Sequence, residues 1–130
     1  MYFEILDICT RVKDLYENPD EPEDKPHLLV LDKFKFVVLR AYTYLPKGPV
    51  HASIFPANQP GGLRVQWSID PTKDFVALQL VPPESGEDHV YYVHDGEAGM
   101  EKEVTAERLI EHLEKLIKPL DTPESVVYTN

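Results

Sequence analysis

The sequence predicts one α+β domain in two layers: an antiparallel sheet of five to six strands with an N-terminal and a C-terminal amphipathic helix packed on it. Three observations predict it. Apolar residues recur at helical spacing near both ends of the chain. Between them lie runs rich in β-branched and aromatic residues, bounded by proline and glycine. The connections between those runs are short, which makes sequential strands antiparallel neighbours. At 130 residues the chain has the size of a single domain, so the prediction spans 1–130.

The first helix is expected over 2–17. Ile5, Ile8, Cys9, Val12 and Tyr16 form one stripe, with Glu4, Asp7, Arg11, Lys13 and Asp14 off it. Asn18-Pro19 stops it, because the residue before proline is pushed out of the α region. Residues 18–27 then read as an acidic, proline-rich solvated loop carrying Asp20, Glu21, Glu23 and Asp24.

The strand region is expected over 28–94. LLVLDKFKFVVLRAYTYL predicts strands at 28–31 and 34–44, with a turn near Asp32-Lys33. Pro46-Lys47-Gly48-Pro49 is a turn, and 50–55 alternates as the next strand. Leu63, Val65, Trp67 and Ile69 alternate with Arg64, Gln66, Ser68 and Asp70, the clearest period of two in the chain. After a turn at Asp70-Pro71, residues 75–81 read as a central strand and 90–94 as another. DGEAGMEKE reads as a loop.

Thr105 caps the second helix, over about 105–118, whose apolar face is Leu109, Ile110, Leu113, Leu116, Ile117 and Leu120. Pro119 is expected to end it, and 121–130 is left as a tail or short edge strand.

Charge is sorted along the chain: −5 over 1–26, +3 over 27–82 and −8 over 83–130, for a total of −10. An acidic chain does not suit general binding to phosphate backbones, so nucleic acid is not expected as a partner. No apolar run reaches the ~18 residues of a membrane span. One cysteine excludes an internal disulfide framework, and the N-terminal residues lack a signal-peptide pattern, so the expected location is the cytoplasm.

No catalytic or metal motif emerges. The five histidines lack the His-x-His or His-Glu-x-x-His spacing of metal sites and read as surface residues; His89 and His94, five apart on one strand, point to opposite faces. Cys9 reads as an inert thiol on the helix stripe. No cofactor is expected. The candidate binding surface is the polar face of the middle strands: Arg40, Tyr42 and Tyr44, then His51, then Arg64, Gln66 and Trp67. Arg and Tyr are favoured at protein interfaces. The acidic loop is the second candidate.

These features point to a non-enzymatic, acidic protein-binding module of the chaperone, inhibitor or immunity kind, with a protein partner of basic character or a second copy of the chain. The alternative is a small-molecule-binding or enzymatic domain with a pocket between sheet and helix.

Overall fold

The computed structural model describes residues 5–45, 51–69 and 73–121, and only the backbone of residue 51 and of 118–121. It contains helix α1 (Ile5–Glu17), a 3-10 turn (Pro22–Asp24), and a helical rod from 28 to 42. Strands β1 (His51–Pro56), β2 (Leu63–Ser68), β3 (Phe75–Leu80), β4 (His89–His94) and β5 (Glu97–Glu101) follow, then helix α4 (Ala106–Asp121). The strands form one antiparallel meander in the order β1-β2-β3-β4-β5. The α+β class, with helices from both chain ends, is therefore as the sequence predicts.

One large element differs. Residues 28–44 are not strands. They form α2 (Leu28–Phe34), a π-helical turn (Lys35–Leu39) and α3 (Arg40–Tyr42), joined as one rod. His27 caps it, its Nδ1 accepting from the Leu29 N–H. The rod buries Val30, Phe34, Val37, Val38, Ala41 and Tyr42, at i, i+4, i+7, i+8, i+11 and i+12, the spacing of one helical face. The stripe is built from valine and aromatic residues, whose content mimics a strand. Burial against the other elements outweighs local propensity here.

A second difference is β5. Asp95 and Gly96 both have positive φ (54° and 82°), the requirement of a two-residue type I′ hairpin. Asp74 accepts from both of their N–H groups at 2.8 and 3.2 Å and pins the turn. The residues after it pair with β4 instead of forming a loop. Helix α4 also continues past Pro119 to Asp121. The possible edge strand at 125–128 lies outside the described residues, as do 2–4 of the first predicted helix and the turns at 46–49 and Asp70-Pro71.

The core lies on one face of the sheet. Leu63, Val65 and Trp67 of β2, Val76, Leu78 and Leu80 of β3, and Val90 of β4 meet Ile8 and Val12 of α1, the rod, and Leu109, Leu113, Leu116 and Ile117 of α4. Burying a side chain of this size contributes about 1.5–3 kcal/mol. Trp67 is fully buried, and its indole N–H donates to the Tyr42 hydroxyl at 2.8 Å, tying the rod to the sheet.

Candidate functional site

Alternation along each strand sends every second residue to the sheet face opposite this core. The cross-strand register shows which residues meet there. Ser53 and Phe55 of β1 oppose Gln66 and Arg64 of β2. Those two oppose Ala77 and Gln79 of β3, and Phe75 opposes Ser68. Gln79, Ala77 and Phe75 oppose His89, Tyr91 and Val93 of β4, and Tyr91 and Val93 oppose Met100 and Ala98 of β5. His51 joins this face by register, opposite Ser68.

No Asp or Glu occupies any of these positions, although the chain carries 23 acidic residues. Among the described residues the helices pack on the other face, so this one is open. Phe55 and Met100 are exposed large apolar residues on it, 43% and 49% exposed. The single fixed charge, Arg64, lies over the Tyr91 ring at 5.6 Å, a cation–π distance, and donates to the side-chain oxygens of Gln66 and Gln79. Gln79 also donates to Gln59. A buried glutamine amide is thus held in a network instead of being left to water.

The sequence-predicted site divides accordingly. Arg64 and Gln66 sit on the open face. Trp67 has the opposite parity and belongs to the core. Arg40, Tyr42 and Tyr44 lie on or just after the rod, not on the sheet. Arg40 is exposed and lies 3.9 Å from Glu107, Tyr44 is exposed, and Tyr42 is buried with its hydroxyl pushed up to about 12, chiefly by burial. The reason is the helix over 28–42, which removes all three from the strand parity that would have placed them beside Arg64.

The acidic loop is placed at one end of the sheet. Gly61 in the β1–β2 turn donates its N–H to the Glu23 carbonyl and accepts from the His27 N–H, both at 2.9 Å. The β3–β4 connection, with Glu84 and Glu87, leaves the sheet at the same end, since Leu80 pairs with Leu63 beside that turn. Asp88 is internal there: it pairs with Lys33 at 3.0 Å and accepts from the Val81 N–H. The acid of segment 18–27 and that of 81–88 thus converge on one rim of an acid-free face.

A second polar arrangement lies beneath β4 and β5, on the core side. His94 Nε2 and His112 Nδ1 are 3.0 Å apart, and His112 Nε2 is 3.0 Å from Glu101 Oε1. Arg108 donates to both Glu101 oxygens, from Nε at 3.1 Å and from Nη2. An ionised carboxylate only accepts, so Nε2 of His112 carries a proton. When His112 is neutral its Nδ1 accepts from His94 Nε2–H; when it is charged it donates to His94 Nε2, which opposes a proton there. The two imidazoles are within 15° of coplanar with centroids 5.2 Å apart. That separation is the N–N contact plus one ring radius on each side, so they meet edge to edge along a hydrogen bond and do not stack. Two ligands of one tetrahedral ion would instead aim at a common point off that line.

Tyr92 lies over both imidazoles at 4.9 and 4.5 Å. Gly99, its cross-strand partner, leaves room for it: a Cβ there would sit 2.3 Å from the tyrosine ring. The arrangement holds the outer hairpin to α4. Arg108 and His112 keep the Glu101 carboxyl down at about 2, with burial opposing them. Burial pushes His94 below its ordinary value of 6.5, helped by His112 and Lys115 and opposed by Asp74 and Asp95.

His112, expected at the surface, is 2% exposed. The sequence carried little signal for this cluster, because its members lie on three elements and Glu101 fell in an expected loop. The available clue was that His94 shares strand parity with Val90 and Tyr92. His89 and His94 do point to opposite faces.

Compared with family models, curated proteins and solved structures, the chain matches none. No helix among the described residues is long and apolar enough to cross a membrane.

Proposed function

We propose that this chain is a protein-binding module whose working surface is the open face of its sheet. The observation that carries this reading is the face's composition: aromatic side chains, Met100 and one Arg, with no acid, in a chain of net charge −10. Interfaces are enriched in aromatic residues, Met and Arg and depleted in Asp and Glu at their centres. A solvated sheet face would instead carry its share of the chain's carboxylates.

The face measures about 20 Å by 20 Å from strand spacing and rise. A standard interface buries ~800 Å² per partner. A partner therefore has to extend over a rim as well, and the rim adjoining the turns is acidic. The partner this fits is a protein with an apolar patch flanked by Lys and Arg. The apolar patch would cover Phe55, Tyr91 and Met100, and the flank would meet segments 18–27 and 81–88. Attraction of this kind speeds association and fades with salt.

Affinity capture from the source cell at low salt tests the reading. Phe55→Asp and Met100→Asp place charge on exposed positions of the face, and Leu6→Asp on α1 is the control. The expected result is a protein held by wild type and Leu6→Asp, released by salt and lost from both face variants. Retention of every captured protein by the face variants contradicts it.

A further inference from the structure

We infer that the groove between α1 and the 28–42 rod binds an amphipathic anion: a long alkyl or acyl chain ending in one negatively charged head group. This goes beyond the sheet-face reading and is independent of it.

The groove has a volume of about 490 Å³ and is mostly apolar in lining. Ligand pockets commonly fall within ~300–1,000 Å³ and are largely apolar with a few placed polar groups. Cys9 and Val12 supply one wall, Leu31 and Leu39 the other. Lys13, Lys35 and Asp32 are the charged residues that line it.

The lysines are what selects an anion. Elsewhere in this acidic chain most of the described cations are engaged. Arg11, Lys33, Arg40, Lys102 and Arg108 hold carboxylates. Lys25 and Arg64 lie over tyrosine rings. Lys13 and Lys35 do neither, a state that only Lys73 and Lys115 share among the described cations. Two unengaged lysines converging on one apolar groove, against a single aspartate, leave it locally cationic.

The backbone supplies a second observation. The π-helical turn spans Lys35–Leu39, and both of its end residues line the groove. Such turns interrupt the regular hydrogen-bond ladder and recur at functional sites. Here the turn sets one lysine and one leucine on the same wall.

Isothermal titration of the full chain tests the inference, with dodecanoate, decanoate and dodecyltrimethylammonium as probes, each below its micelle concentration. The expected result is saturable binding of dodecanoate to one site, roughly 15-fold weaker binding of decanoate for two fewer methylenes, and about 2- to 5-fold weaker binding of the cationic amphiphile. Lys13→Gln with Lys35→Gln should erase the preference for the anion; both side chains are exposed, so the fold is kept. A second readout needs no variant: Cys9 is the chain's single cysteine, and dodecanoate should slow its alkylation by iodoacetamide. Equal binding of both amphiphiles, no binding of dodecanoate, or an unchanged Cys9 rate would overturn the inference. None of these outcomes bears on the sheet face, since no groove residue lies on it.

Discussion

Replacing Glu101 by Gln should cost stability at neutral pH and nothing at strongly acidic pH. Glu101 is the acceptor for Arg108 and His112, and its carboxyl lies near 2 instead of 4.5. A carboxyl lowered in the fold adds stability above its unfolded value, and that stability is lost as pH falls from about 4.5 to about 2. Unscreened, the gap between the two values corresponds to ~3.4 kcal/mol. The side chains of Glu101 and Arg108 are 23% and 31% exposed, so water screens the pair. A loss of about 1–2 kcal/mol at pH 7 is the better figure. For 130 residues at ~2.1 cal/mol/K each, this lowers Tm by roughly 4–7 °C. Urea unfolding followed by circular dichroism, repeated from pH 7 down to pH 2, gives both curves. Wild type and Glu101→Gln should begin to converge below 4.5 and meet near 2. Parallel curves over the whole range would refute the assignment of Glu101 as the ionised anchor of the hairpin.

Two further outcomes follow from the same corner. Gly99→Ala puts a Cβ 2.3 Å from the Tyr92 ring and should destabilise by about 1–3 kcal/mol, read as a lower urea midpoint at unchanged slope. His94 is held below its ordinary value by burial and by His112 and Lys115, against Asp74 and Asp95, so the fold favours its neutral form. Its contribution is fully present above 6.5 and declines as pH falls below that value. The imidazole resonances of His94 should titrate with a midpoint under 6.5, and the decline in stability should be absent from His94→Gln.

How much of this was legible in the sequence depends on how each element carries its pattern. β2 alternates cleanly because one face packs on helices and the other is open, so Arg64, Gln66 and the core parity of Leu63 and Val65 could be read directly. α1 and α4 display their stripes for the same reason. The rod carries a stripe too, at 30, 34, 37, 38, 41 and 42, but valine and aromatics build it, and residue type outweighed spacing in the strand reading. Misreading it moved Arg40, Tyr42 and Tyr44 onto a face they do not share. β5 was missed because Glu-Ala-Gly-Met-Glu has poor strand propensity. Its true signal was the Asp95-Gly96 turn, and its glycine exists to admit Tyr92. The His94–His112–Glu101 chain was illegible because tertiary packing, not spacing, assembles it.

The measurement that bears most directly on the account is an NMR footprint of the captured partner on the isotopically labelled chain. The account predicts that resonances of Phe55, Arg64, Tyr91 and Met100 shift or broaden together, along with those of the adjoining acidic segments. Perturbations confined to the exposed sides of α1 and α4, with the sheet-face resonances unmoved, would contradict it.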